Sequence, residues 1–109
     1  MSAKLPEPLA TYFDGHRNHD VDAMIGPFAE GAIVKDEGHE RRGLPAIRKW
    51  MEEAAAKPSV IAVANAAETD ANTTVTGRVS GNFPGSPVDL RFIFTLDQGR
   101  KITRLEIVQ

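Results

Sequence analysis

The sequence predicts an α+β domain in which helices from the first half of the chain pack on one face of a curved antiparallel sheet. Three observations predict it. Apolar residues recur at spacings of three and four in two stretches before residue 57. From Val60 onward the spacing changes to two. The length, 109 residues, suffices for one compact core with a small cavity and leaves no room for a second. Helices interrupted by one strand, then a run of strands, is the order expected when helices are segregated to one face of a sheet. Residues 1–109 are therefore read as a single domain.

The first helix carries Leu5, Leu9, Tyr12, Phe13 and His16 on one face, and its first turn tolerates Pro6 and Pro8. Leu5, Leu9 and Phe13 read as core. A buried phenol needs a hydrogen-bond partner, so Tyr12 is either a structural tie or a donor aimed into a cavity. RNHD is a turn, with Asp20 as N-cap of a short helix holding Met24 and Ile25 and closed by Gly26 and Pro27. Phe28 leads into a brief strand at Ala32, Ile33 and Val34 that ends at Lys35 and Asp36. Residues 37–42 (EGHERR) read as a polar loop. Gly43, Leu44 and Pro45 open a third helix, with Leu44, Ile47, Met51 and Ala54 as its buried stripe, Trp50 bordering it, and a stop at Lys57 before Pro58.

The expected strands thereafter are Val60 to Ala67, Thr73 to Ser80, Val88 to Leu96 and Lys101 to Val108. Asp70 to Asn72, the GNFPGSP loop and Asp97 to Gly99 separate them. In the third of these, Leu90, Phe92, Phe94 and Leu96 point towards the helices, while Asp89, Arg91, Ile93 and Thr95 point away. That outer face is either solvated or the contact of a homodimer.

Composition excludes several function classes. At 41% hydrophobic and 26% charged, the chain falls well outside the disordered range. A net charge of -2 with dispersed basic residues gives no phosphate-neutralising patch, so nucleic acid is not an expected partner. The absence of cysteine excludes disulfides, thiolate nucleophiles and thiolate metal sites. The N-terminal MSAKLPEPL has no apolar signal core, and the longest apolar run, Val60 to Ala64, is too short to cross a bilayer. A cytoplasmic protein without membrane contact is the expectation.

The segments YFDGHRNHDVDAMIGPFAEGAIVKD, RGLPAIRKW and FTLDQGRKITRLEI together resemble the SnoaL-like and nuclear transport factor 2-like superfamily, relatives of ketosteroid isomerases and polyketide cyclases. The resemblance runs over nearly the whole chain. It implies a cystatin-like cone, a strongly curved antiparallel sheet wrapped around three helices, with a pocket at the open end. In ketosteroid isomerases a strand-end carboxylate moves a proton beside a carbonyl while a tyrosine and a protonated aspartate stabilise the enolate. Matched without gaps, Asp36 falls on the base position, Tyr12 on the tyrosine and Trp50 on the pocket wall. Phe92 falls where the sheet aspartate would stand. A phenyl ring cannot stabilise negative charge, so the implied chemistry narrows to a less demanding proton shift, dehydration or aldol-type cyclisation.

On this reading Asp36, Tyr12 and His16 are the catalytic candidates, and Trp50, Phe83, Phe92, Phe94, Phe28 and His39 line a site for a small apolar molecule. A carboxylate at the mouth of an apolar cone loses solvation and gains strength as a base, whereas at an ordinary strand end it is a solvated turn residue. His16, one turn after Tyr12, is an auxiliary acid or base or the end of its helix. Arg41 and Arg42 either hold an anionic group at the rim or pair with Glu37 and Glu40. No histidine spacing matches a metal motif, and proton transfer needs no cofactor. The competing reading is a non-catalytic ligand-binding or dimeric interaction module, which the phenylalanine at position 92 favours.

Overall fold

The computed structural model describes residues 5–57, 59–69 and 72–109. Helix α1 (Glu7–Arg17) starts after Pro6 with a second proline in its first turn, and its apolar repeat buries Leu9, Tyr12 and Phe13. Helix α2 (Val21–Ile25) is capped by the Asp20 side chain, which accepts from the Ala23 amide at 3.1 Å. The two helices meet closely at Gly15. A Cβ there would stand 2.8 Å from the Met24 nitrogen, so only hydrogen fits.

Strand β1 (Phe28–Asp36) is longer than the expected Ala32–Val34 core, because it extends back through an irregularity between Phe28 and Ile33. The expected polar loop at residues 37–42 is corrected. His39–Arg42 forms strand β2, paired antiparallel with β1 through a turn in which Glu37 and Gly38 both take positive φ (51° and 80°). Two successive left-handed residues make the tight hairpin whose twist suits flanking strands. HERR has no apolar residue to reveal a period of two.

Helix α3 (Leu44–Ala55) follows Gly43, whose φ of 85° admits glycine best, and Pro45 sits in its first turn. Its buried residues are Ile47, Trp50 and Met51. The expected stripe is corrected here: Trp50 belongs to it, and Ala54 is exposed. Strands β3 (Ser59–Glu68), β4 (Thr73–Gly81), β5 (Val88–Leu96) and β6 (Ile102–Val108) complete the fold close to their expected bounds. Pro58 and the turn residues Asp70 and Ala71 lie outside the described residues.

The six strands form one curled, unclosed sheet in the order β2-β1-β6-β5-β4-β3. Four pairings are antiparallel and β1–β6 is parallel, so the sheet is mixed. The first long strand and the last lie side by side, a partnership that no local pattern announces. The helices cover the concave face. Rings of Tyr12, Phe13, Phe28, Phe92 and Phe94 meet edge to face at centroid distances of 5.1–5.9 Å, tying α1 to β1 and β5. Leu9, Val34, Ile47, Met51, Val75, Ile102 and Leu105 fill the spaces around them without exposure. Among the described residues no helix is long and apolar enough to cross a membrane.

Candidate functional site

The period of β1 places Ala32, Val34 and Asp36 on one face, and the first two are completely buried under the helices. Asp36 continues that row at the strand's end, so its side chain turns inward but emerges half-buried where the helical cover stops. Helix α3 brings Trp50, 8% exposed, to the same place. The indole Nε1–H donates to Asp36 Oδ2 at 3.1 Å. One carboxylate oxygen is thereby held and the other has no bond to a described residue.

Sheet register extends the row sideways. Asp36 pairs with Ile107, which pairs with Phe92, setting the Asp36 and Phe92 backbones two strands, or about 10 Å, apart. Asp36 also borders a groove of about 380 Å³ lined by Glu37, Gly38, Leu90, Ile107, Val108 and Gln109. Leu90 and Ile107 form its apolar floor. Sequence reasoning placed Leu90 inward without assigning it to the site and passed over Ile107. The inward phase of the last strand was the available signal.

Tyr12 is 2% exposed, with its ring wedged among Phe13, Phe28 and Phe94. Among the described residues none bonds the Tyr12 hydroxyl. Burial, and after it the negative charge of Asp36, hold the phenol far above its ordinary ionisation range. It is therefore a neutral donor at physiological pH, within electrostatic reach of the carboxylate.

The remaining candidates divide. Phe28, Phe92 and Phe94 are 3%, 2% and 0% exposed and fill the deep part of the cone as the backing of Tyr12 and Phe13. His39 is the register partner of Asp36 on β2 and is exposed beside it. His16 points elsewhere: its Nε2 lies 3.4 Å from Ser59 Oγ, and it lines a separate groove between α1 and β3. Burial, with the neighbouring His19, lowers its ionisation below that of an ordinary histidine. Phe83 stands 37% exposed in the β4–β5 loop, against Ala54, Lys57 and Asn82 at the far end of α3. Arg42 pairs with Glu40 at 2.6 Å and Arg41 donates to the His39 carbonyl at 3.1 Å, so the hairpin arginines engage the hairpin itself. No cluster of three or more His, Asp or Glu side chains suited to a metal ion occurs among the described residues.

The arrangement thus holds a positioned carboxylate at a groove of mixed polar and apolar lining, with a neutral phenol in the core behind it. Comparison with known proteins bears on the scaffold. No functionally curated protein matches the chain. Protein SMa1630 of Sinorhizobium meliloti, provisionally named a polyketide cyclase, is 40% identical, superimposes with a TM-score of 0.89, and is matched over 95% of both chains. SalBIII, an epoxide hydrolase/cyclase-like enzyme of pyran ring formation in the polyether salinomycin, is 22% identical with a TM-score of 0.82 over 93% of this chain and 86% of its own. A Catenulispora acidiphila protein with a ketosteroid isomerase-like fold, solved with trimethylamine, is 17% identical with a TM-score of 0.82 over 97% of this chain and 87% of its own. The last two show the shared fold alone. Residues 9–105 match the model of the SnoaL-like domain, nearly the entire length from α1 to β6, and the chain belongs to the SnoaL-like family.

Proposed function

We propose that this protein is a cofactor-free acid–base catalyst acting on a small apolar carbonyl compound, in a proton shift, dehydration or cyclisation. The observation that carries the reading is the Trp50 indole bond to Asp36. A carboxylate oriented by one donor, inward of a strand end and half-withdrawn from water, is what a general base requires. The unbonded carboxylate oxygen removes a proton from the carbon beside the carbonyl. The C–H electron pair becomes the enolate double bond, the carbonyl oxygen takes the charge, and the neutral Tyr12 hydroxyl donates to it. The carboxyl then returns its proton to another carbon of the same substrate, or the enolate carbon attacks a second carbonyl and closes a ring, the electron pair of that C=O moving onto its oxygen, which takes the proton back from the Asp36 carboxyl. Leu90 and Ile107 offer the substrate an apolar floor. The polyketide cyclase name of the 40% identical Sinorhizobium protein agrees with this class of chemistry.

The test is deuterium incorporation from heavy water beside the carbonyl of cyclic β,γ-unsaturated ketones, followed by NMR. The native protein should accelerate exchange, and Asp36→Asn should abolish the acceleration while still binding the ketone, read by Trp50 emission. Exchange that persists in Asp36→Asn removes the carboxylate from the reaction. One observation favours a second reading, a non-catalytic binding module: Phe92 occupies the row beside Ile107 where a second donor would stand. Ketone binding without exchange in the native protein selects it.

A further inference from the structure

A second groove, of about 460 Å³, runs between α1 and β3 and shares no lining residue with the one at Asp36. Its volume is that of a small-molecule site. Along its length the chemistry changes. His16 Nε2 stands 3.4 Å from Ser59 Oγ, joining the last turn of α1 to the first residue of β3. Arg17 and His19 border the groove beside them. Leu5, Ala10 and Phe13 lie earlier on the α1 side, and Ile61 and Val63 lie further along β3, so the rest of the groove is largely apolar.

The polar end suits an anion. Asp14 is the one acid bordering the groove among the described residues, and its carboxylate is already paired with Arg17. His16 and His19 are then the side chains that can add positive charge. Burial, and after it His19, make His16 less basic than an ordinary histidine. The elements packed around it bring no counter-charge: Met24 of α2 and Met51, Ala54 and Ala55 of α3 are uncharged, and β3 offers the Ser59 hydroxyl. The last carbonyls of α1 are occupied, those of Asp14, Gly15 and His16 accepting from the amides of Asn18, Asp20 and His19 at 3.0, 2.8 and 3.2 Å. The groove at Asp36 has the opposite character, since Asp36 and Glu37 both border it.

We propose that the groove between α1 and β3 binds a medium-chain carboxylate, its head accepting from His16 Nε2 and Ser59 Oγ and its alkyl tail lying along Phe13, Ile61 and Val63. Length sets the tail. From Ser59 to Val63 the strand advances about 13 Å, the extended length of a chain of about eight to ten carbons. The head supplies the counter-charge that His16 lacks, so the imidazolium becomes the favoured form and binding takes up a proton. Affinity therefore rises as the pH falls from about 8 to about 6, and the rise ends where the ligand itself becomes protonated, near pH 5. The site stands apart from Asp36, so it holds whether or not that carboxylate is a catalyst.

Calorimetric titration of the full chain with sodium octanoate, set against 1-octanol, tests this. Octanoate should saturate one site about threefold to tenfold more tightly at pH 6 than at pH 8, and more tightly than 1-octanol at pH 6. Repeating the titration in buffers of different ionisation enthalpy should show the proton uptake, and His16→Gln should remove both the uptake and the pH dependence. Should His16→Gln fail to fold, the Cε1–H resonance of His16 in the native protein asks the same question: octanoate should raise its titration midpoint and 1-octanol should leave it in place. No saturation below about 10 mM, equal affinity for the alcohol, proton uptake that survives in His16→Gln, or a His16 midpoint that octanoate does not move would each overturn the proposal.

Discussion

Tyr12→Phe removes a single oxygen, and the structure says what that oxygen does for folding. The ring keeps its edge-to-face contacts with Phe13, Phe28 and Phe94 at 5.1, 5.9 and 5.7 Å. No described residue bonds the hydroxyl, so no internal hydrogen bond, worth about 1 kcal/mol net, is lost. Stability should change by less than about 0.5 kcal/mol. Chemistry should respond differently, because loss of one donor to a developing oxyanion costs about 10²–10³ in rate, roughly 2.7–4 kcal/mol. Urea unfolding followed by Trp50, the only tryptophan and 8% exposed, measures the first quantity. Ketone deuterium exchange measures the second. A stability loss of about 1.5 kcal/mol or more with exchange untouched would make Tyr12 a structural tie and refute its role as donor.

A double-mutant cycle of Trp50→Phe and Asp36→Ala, read by urea unfolding, should give a coupling of about 1–2 kcal/mol. That lies at the low end for a bond to a charged group, because water reaches the half-buried carboxylate. Additivity within about 0.3 kcal/mol would mean the bond contributes nothing. His16 titrates below an ordinary histidine, so in acid the unfolded chain binds a proton that the folded chain refuses. The stability from neutral His16 is fully present above about pH 6.5 and is lost as the pH falls through the folded value, and His16→Gln should flatten that part of the profile. Gly15→Ala would press a methyl group to 2.9 Å from Met24 Cγ and 3.1 Å from Ala23 Cβ. It should cost about 1–3 kcal/mol by overpacking despite the better helix propensity of alanine, and a raised melting temperature would contradict the α1–α2 contact described here.

The parts of the fold legible in the sequence are those whose side chains alternate between apolar and polar surroundings. Leu9, Tyr12 and Phe13 mark α1 by spacing, and Phe92 and Phe94 mark the inward phase of β5, because each sits at a boundary between core and water. HERR carries no such contrast and hides a strand. The parallel β1–β6 pairing joins residues some seventy positions apart, as at Val34 and Leu105, and is set by how the whole sheet curls. Asp36 could be turned inward by counting from Ala32 and Val34. Its bond to Trp50 could not be foreseen, because it depends on where α3 crosses the strand end. His16 shares a helix face with Tyr12 but meets Ser59 of β3, since one helical turn carries it past the row that holds Asp36. Phe83 looks like pocket lining by composition, yet the NFPGSP loop that carries it has no period from which to read a direction.

The claim beneath the functional reading is that the Asp36 carboxylate, held by Trp50, faces the groove floored by Leu90 and Ile107. The resonance of the single indole N–H in protein labelled with ¹⁵N-tryptophan reports on it most directly. It should stand at a hydrogen-bonded position that moves towards that of a free indole in Asp36→Ala, and should shift in the native protein on titration with a cyclic ketone. A resonance indifferent to both would contradict it.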